Sequence, residues 1–486
     1  MSSLAESRTE RLAAASIEKA ASYEEWKAAA LAEDDRSGAA RWRKTDASRR
    51  YDYKVIRRRY DEIRKVRASG DPHRLLYYLN EGIHGNMGGM GSSKLYRKSR
   101  FGTKDLVSGY IEEQAAALEQ VAAVDDDVIG LPEKLEFFRR ASHCFGRTAL
   151  MLSGAGALGP FHVGVIKALH EQGLLPNVIS GSSAGALVAA IVGTRDDESL
   201  ADVFEPRHIV NVFGEVAEAE ADILKGNRRL GAREVQAFIE HQIPDLTFQE
   251  AFERTGRRIN ISVSPRELHQ QSRLLNAVTS PNVCIREAVL ASCAIPGIFP
   301  PVTLAARDRH GERKPYVPSR QWVDGSVTDD LPAKRLIRLY GVNHFITSQT
   351  NPVAIWALRD SQTQDSLFGR LWEINQNASR EVLKATYPFA MEITRNLYPF
   401  NVVTRMFYSI ATQDYTADIN ILPRRRFWDP RKLLSILSEG EVRALVREGE
   451  AATWPRIEMI RNCTRISRTL DGILARLEQQ NIYAHA

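Results

Sequence analysis

The chain has 486 residues, 43% of them hydrophobic and 26% charged, with a formal net charge of +6. That length allows two or three domains around a substantial core, and the ordinary hydrophobic share excludes a disordered or fibrous chain. The mild positive charge suits an anionic membrane surface; no nucleic-acid-binding module accompanies it, so no nucleic-acid partner is expected.

Residues 1–146 read as a charged, alanine-rich helical domain. The N-terminus carries acids and arginines early and lacks the apolar core of a signal peptide, and no run of about 18 apolar residues marks a membrane span. The expectation is a cytoplasmic protein. Tyr53 to Arg67 places Val55, Ile56, Tyr60, Ile63 and Val66 on one helical face. The other face carries Arg57, Arg58, Arg59, Arg64, Lys65 and Arg67, a stripe that is either solvated or turned to lipid headgroups. The glycine-rich run His84 to Gly91 precedes no plausible catalytic turn and is read as a structural loop.

Residues 147–337 alternate strand and helix with short connections, the pattern of a parallel sheet with helices on both faces. Thr148 to Ser153 reads as a buried strand, Gly154-Ala155-Gly156-Ala157-Leu158-Gly159 as a turn and Phe161 to His170 as a helix. Free backbone N–H groups in such a turn bind a pyrophosphate or form an oxyanion hole. A dinucleotide site expects an acid about 20 residues on, at the end of the second strand. Here the second strand ends at Ile179-Ser180 and the nearest acid, Glu171, belongs to the helix. The reading preferred is an oxyanion hole at Gly154, Ala155 and Gly156.

The second strand runs into Gly181-Ser182-Ser183-Ala184-Gly185, a Gly-x-Ser-x-Gly turn before a small-residue helix. That context sets Ser183 on a sharp bend with its hydroxyl exposed above a sheet, as a nucleophile. The alternative is an ordinary glycine–serine loop. A serine nucleophile needs a proton acceptor. Gln321-Trp322-Val323-Asp324-Gly325 puts Asp324 at a strand end on a tight turn. The downstream histidines are His344, inside a strand-like run, and His485, next to the last residue. A Ser183–Asp324 dyad is preferred; a Ser183–Asp324–His344 triad and Asp324 as a mere turn former stay open. Ile259 to Ser264 is a further strand, and a helix begins near Asn282.

Residues 338–486 read as one or two sheet strands plus amphipathic helices. Phe345 to Ser348 returns to the sheet, residues 354–413 are helical with aromatics beside Arg395 and Arg405, Asp418 to Pro423 is a last strand, and charged helix follows Asp429. Cys144, Cys284, Cys293 and Cys463 are scattered, with no C-x-x-C pair, so reduced thiols and no metal are expected.

In their order, Gly154–Gly159, Gly181–Gly185 and Asp324-Gly325 resemble the oxyanion loop, nucleophile turn and Asp-Gly turn of the patatin-like phospholipase family. Ala288 to Pro296, continuing to Phe299-Pro300-Pro301, is similar to a further segment of that family, which packs beside the active site. Two positions depart from the pattern: Ala155 stands where the family commonly has a third glycine, and Leu158 where it often has Arg or Lys. Tyr23-Glu24-Glu25-Trp26, Trp42-Arg43, Tyr51-Asp52-Tyr53, and Arg74-Leu75-Leu76 through His84-Gly85-Asn86 to Gly91 resemble the N-terminal domain of fungal and plant triacylglycerol lipases.

The resemblance implies a three-layer α/β fold with a mainly parallel central sheet, preceded by a helical N-terminal domain and followed by a helical C-terminal region. It implies a serine lipid acyl hydrolase acting on glycerolipid esters, with Ser183 as nucleophile, Asp324 as proton acceptor, Gly159, Gly181, Gly185 and Gly325 as structural glycines, no cofactor, and peripheral contact with a membrane or lipid-droplet surface. An acyltransferase using the same dyad, and a non-catalytic lipid- or nucleotide-binding protein, are the alternatives.

Overall fold

The computed structural model describes residues 16–205, 232–267, 270–296, 299–327, 329–351, 417–424 and 437–485. The expected helices of residues 354–413 lie outside them. The chain forms two compact units, Met1–Thr148 with Tyr340–His344 and Thr453–Ala486, and Ala149–Leu339 with Phe345–Ala452. The stretch 338–486, read from sequence as one region, contributes to both.

The first unit holds helices α1 (Tyr23–Ser37), α2 (Ala39–Lys44), α3 (Tyr53–Ala68), α4 (Pro72–Gly82), α5 (Asp105–Ala122) and α6 (Leu131–Phe145). Local chemistry sets several starts. Ser22, Asp52 and Asp71 each cap a helix by accepting from a backbone N–H in the first turn, and Pro72 takes the position where no donor is needed. Ile56, Ile63 and Val66 of α3 point into a core with Leu75, Leu79, Val107, Tyr110, Leu118 and Phe138.

The basic stripe of α3 is largely engaged within the unit rather than bare. Arg57 pairs with Asp46 at 2.7 Å, and Arg67 pairs with Glu113 at 2.5 Å. Arg59 stacks 5.7 Å over the Tyr78 ring and Arg64 5.5 Å over Tyr60. The His84–Gly91 run is a structural loop: the Asn86 side chain accepts from Gly91 N–H at 2.9 Å, and Gly88 C=O accepts from Asp52 N–H at 2.8 Å.

Among the described residues, the second unit is built on a sheet of seven strands. The elements from the end of the first unit onward are β1 (Arg147–Leu152), α7 (Gly159–Glu171), β2 (Val178–Gly181), α8 (Ala184–Gly193), α9 (Asp197–Val203), α10 (Ala232–Gln242), α11 (Phe248–Thr255), β3 (Arg258–Pro265), β4 (Arg273–Leu275) and α12 (Ile285–Ser292). Then come β5 (Ala305–Arg307), β6 (Arg313–Pro315), β7 (Trp322–Asp324), α13 (Ala333–Tyr340), β8 (Val342–Ser348), β9 (Ile419–Ile421), α14 (Glu439–Thr453) and, back in the first unit, α15 (Ile457–His485). The strand order is β4-β3-β2-β1-β8-β9, with β7 also on β3 and β5–β6 a separate ribbon. β1–β2, β2–β3 and β8–β9 are parallel, whereas β4 and β7 run antiparallel to β3. This is the expected α/β fold with a mainly parallel central sheet.

β2 and the core of β1 and β3 are buried throughout, as strands covered on both faces must be. The register is what positions a site. Gly181, the last residue of β2, pairs with Ile261, and Asp324, the last of β7, pairs with Val263 two residues further along β3. Both segments therefore end at the carboxyl edge of the parallel strands, where open α/β sheets build their sites.

The first unit carries one costly interior group. Lys104 is fully buried, and its Nζ donates to the carbonyls of Trp42 and Thr45 at 2.5 Å and Ala47 at 3.4 Å while lying 4.0 Å from the Trp42 ring centroid. Burial lowers its pKa, because the charged form is the one penalised. Methionine fills the volume but leaves the carbonyls of Trp42, Thr45 and Ala47 without this donor. Lys104→Met is expected to destabilise the protein by about 2–4 kcal/mol. Urea unfolding followed by the N-terminal tryptophans measures this, and an unchanged midpoint would show the ammonium to be energetically idle.

Candidate active site

The Gly-x-Ser-x-Gly turn folds as sequence chemistry dictates. β2 delivers the chain to Ser182, whose N–H donates to Leu152 C=O at 3.2 Å, and α8 starts at Ala184. Ser183 lies between them at φ +54° and ψ −127°, and it alone among the described non-glycine residues has positive φ. Such a conformation costs on the order of 1–3 kcal/mol and persists only where the surroundings impose it. The flanking glycines let them. A Cβ on Gly181 would lie 2.2 Å from Gly185 C=O, and one on Gly185 would lie 2.5 Å from Leu152 C=O. A third group holds the strained residue from the side: the Ser183 N–H donates to Ser292 Oγ at 3.0 Å, and that hydroxyl donates to Ser262 C=O at 2.8 Å. Ala184 is the first residue of α8, where an N–H has no intrahelical acceptor and the helix dipole is positive.

Asp324 is buried at the end of β7. Its backbone N–H donates to Ala294 C=O at 3.0 Å, in the segment after α12. Its carboxyl accepts from Ser326 N–H at 2.8 Å, and the Ser326 and Ser183 hydroxyls lie close enough to lower its pKa. Burial pushes its pKa up to about 6, against the downward pull of those hydrogen bonds. Gly325 is required for the approach, since a Cβ there would sit 2.1 Å from Ser262 C=O. The fold thus brings Ser183 and Asp324 together. The histidine left open by the sequence, His344, has its Nδ1 3.2 Å from Thr148 Oγ1.

The glycine loop is built differently from expectation at one position. Gly154 N–H is committed: it donates to Asp330 Oδ1 at 2.7 Å, so in this state it is not a donor to a ligand. Ala155 and Gly156 precede and open a single 3-10 turn, Gly156–Leu158, where N–H groups lack intrahelical partners. Gly159 opens α7 with helical φ −46° and meets no special backbone demand. Ala155 and Leu158, the two departures from the family pattern, are both buried, and Ala155 keeps its N–H.

Beneath the loop sits His162, fully buried. Its Nε2 contacts Ser153 C=O at 2.9 Å and Thr350 Oγ1 at 3.2 Å, and its Nδ1 contacts Ser348 Oγ at 2.7 Å. Burial drives its pKa down to about 4, so it is neutral, donating from Nε2 to Ser153 C=O and accepting at Nδ1 from Ser348. His162, Ser292 and Asp330 escape a sequence reading because their partners are far away in sequence. The one available signal was that Ser292 lies in the Ala288–Pro296 segment already singled out.

Ser183, strained at a glycine-flanked turn, thus lies beside a buried aspartate. Residues 150–337 match the patatin-like phospholipase family, and residues 4–143 match a domain of unknown function. Triacylglycerol lipase ptl3 of Schizosaccharomyces pombe is 32% identical over 95% of this chain and 96% of its own length. The chain belongs to the patatin-like phospholipase family.

Within that family it falls in the branch that carries this N-terminal domain, whose members include proteins named as triacylglycerol lipases. Triacylglycerol lipase 4 of Saccharomyces cerevisiae is 37% identical over 91% of this chain, and Triacylglycerol lipase SDP1L of Arabidopsis thaliana is 32% identical over 93%. The chain spans 50% and 57% of the lengths of those two relatives. The crystal structure of VipD from Legionella pneumophila aligns over 68% of this chain and 67% of that one at 14% identity with a TM-score of 0.30, a likeness too slight to support an argument.

This patatin-like site depends on its serine bridge. Ser292→Ala strands the Ser183 N–H in a buried position and frees the strained turn to relax. The expected cost is about 1–3 kcal/mol of stability, with activity falling further than the stability loss explains. Thermal unfolding beside initial rates on a soluble p-nitrophenyl ester separates the two, and wild-type rates in a folded variant would show the bridge to be dispensable.

Proposed function

We propose that the chain is a serine lipid acyl hydrolase that cleaves fatty-acyl esters of glycerolipids through a Ser183–Asp324 dyad and an acyl-enzyme. The observation that supports this reading is the strained Ser183 beside the buried Asp324 carboxyl, whose pKa the serine hydroxyl lowers. The names of the relatives, triacylglycerol lipases, favour neutral glycerolipids as the substrate class.

In this scheme the Ser183 hydroxyl attacks the ester carbonyl as its proton passes to Asp324. A carboxylate with its pKa near 6 is ionised at neutral pH, yet is a far better base than an exposed aspartate. The oxyanion collects hydrogen bonds from the N–H groups of Ala155, Gly156 and Ala184, with the α8 dipole behind the last. Gly154 supports the hole by anchoring the loop rather than by donating. The tetrahedral intermediate collapses, the C–O bond to the glyceride breaks, and the leaving alkoxide takes the proton held by Asp324. Water then attacks the acyl-enzyme, Asp324 accepts its proton and returns it to Ser183, and the fatty acid leaves. No step calls for a metal or an organic cofactor.

The catalytic region of this reading is residues 147–337, with residues 1–146 as the N-terminal domain and 338–486 completing the sheet and adding helices. No helix among the described residues is long and apolar enough to cross a membrane. The proposed enzyme works in the cytoplasm, at a membrane or lipid-droplet surface reached by peripheral contacts.

Ser183→Ala and Asp324→Asn are each expected to lower kcat on the order of 10⁴-fold or more while leaving the fold intact. A fluorophosphonate is expected to label Ser183, and substantial activity in Ser183→Ala would overturn the reading. Because Asp324 must be ionised to accept a proton, kcat/KM is expected to fall as pH drops through about 6. A profile flat down to pH of about 4 would exclude a buried aspartate as base. A panel of triacylglycerol, phospholipid and lysophospholipid sets the substrate class. Labelled acyl donor given with a lysolipid or diacylglycerol acceptor distinguishes hydrolysis from acyl transfer by the same dyad.

A further inference from the structure

Asp330 is fully enclosed and makes no part of the proton path above. Its contacts join the two halves of the site. Oδ1 accepts from Gly154 N–H at 2.7 Å, fastening the glycine loop. Its own carbonyl oxygen accepts from Ser182 Oγ–H at 3.1 Å, fastening the residue just before Ser183. Oδ2 accepts from Asn351 Nδ2 at 3.4 Å, beyond the end of β8. Gly154 lies close against this group, since a Cβ there would fall 3.6 Å from Asp330 Oδ1 and 3.1 Å from Ser326 Cβ. The loop is held from its other side by Ser153, whose Oγ accepts from Thr350 N–H at 2.9 Å and whose carbonyl accepts from His162.

We propose that Asp330 is a positioning residue, whose carboxylate clamps the glycine loop to the nucleophile turn and so sets the oxyanion donors against Ser183; this deepens the dyad reading and rests on it. A carboxylate is suited to the task because both of its oxygens accept. Protonation places a hydrogen on one of them, so that one of the two N–H bonds, from Gly154 or from Asn351, is lost or weakened. The clamp is therefore complete only in the ionised form.

The groups that face it make ionisation difficult. Burial is the main cause, and the like charges of Asp324 on β7 and Asp329 beside it add to it, against the Gly154 and Asn351 hydrogen bonds; together they bring Asp330 to about 7. Asp329 is itself paired with Arg335 of α13 at 3.4 Å, and His162 of α7, linked through Ser153, is neutral. The clamp thus loosens just above the pH at which Asp324 protonates, and activity in acid is lost by two protonations instead of one.

The test uses the full chain with Asp330→Ala, Asp330→Asn and, as control, Ser183→Ala. Readouts are kcat and KM for p-nitrophenyl butyrate, the rate of fluorophosphonate labelling, and thermal unfolding. Asp330→Ala is expected to lower kcat and the labelling rate about 10- to 100-fold, the scale of a misplaced oxyanion donor, with KM changed less than about threefold. Asparagine still offers an oxygen to Gly154, and an amide flip of Asn351 restores the second bond. Asp330→Asn is therefore expected to recover most of kcat at alkaline pH. Its acid limb is expected to follow one proton near pH 6, where the wild type follows two.

A folded Asp330→Ala with wild-type kcat and labelling would overturn the clamp. So would an Asp330→Asn that folds yet is as slow as Asp330→Ala, or one that keeps the two-proton limb. Activity surviving in Ser183→Ala is a different result, which sinks the dyad and not the clamp alone.

Discussion

The site depends on a backbone that would relax if it could. Ser183 sits at φ +54° because every neighbour forbids an alternative. β2 fixes the chain before it through pairing to both β1 and β3, α8 fixes the chain after it, and Ser292 holds its N–H. α8 is apolar along its length and buried on nearly every side, so it has no freedom to shift and release the turn. The strain costs little beside the packing that enforces it, and it turns the hydroxyl out of the backbone's own hydrogen bonding toward Asp324.

Burial supplies the second constraint. An aspartate in water is too weak a base to share a serine proton usefully, and a fully desolvated one with no donors would simply stay protonated. Asp324 sits between these extremes, because enclosure pushes it up while the Ser326 and Ser183 donors hold it back. In the proposed dyad, that balance is what lets an aspartate fill the place a histidine holds in the more familiar triads. It also explains why His162, the histidine buried closest to the glycine loop, is spent on structure: at a pKa of about 4 with both ring nitrogens engaged, it pins Ser153 and has no proton traffic to conduct.

The parts legible in the sequence were those whose meaning is local. The strand–turn–helix around Ser183, the strand ending at Asp324, and the expected strands within β1, β3 and β9 all follow from short-range pattern, and the structure has them. The proposal of a Ser183–Asp324 dyad needed two motifs read together. What could not be read is whatever depends on partners brought from afar. Asp330 bonds Gly154 across 176 positions, Ser292 bonds Ser183 across 109, and His162 bonds Ser348 across 186, each through an ordinary residue type in an ordinary segment. Within the basic stripe of α3, the partners of Arg57, Arg59 and Arg67 likewise come from other segments of the unit. The short strands β5 and β6, Ala-Ala-Arg and Arg-Lys-Pro, carry no apolar run from which a strand could be read.

Gly154 shows why local reading fails in one direction only. A glycine-rich turn advertises free N–H groups, but a loop whose N–H groups are all free is held by nothing and would not keep them aimed. Some of that donor capacity must go to fixing the loop. Spending it on a carboxylate is the strongest neutral-donor option available inside a protein, since charge-assisted hydrogen bonds are roughly twice as strong as neutral ones. The cost is a second buried acid a few residues from the first, and with it a fold whose site geometry is tied to the charge state of its own interior. A loop anchored by backbone carbonyls alone would escape that dependence, but it would give up the one residue that bonds the loop with its side chain and the nucleophile turn with its main chain.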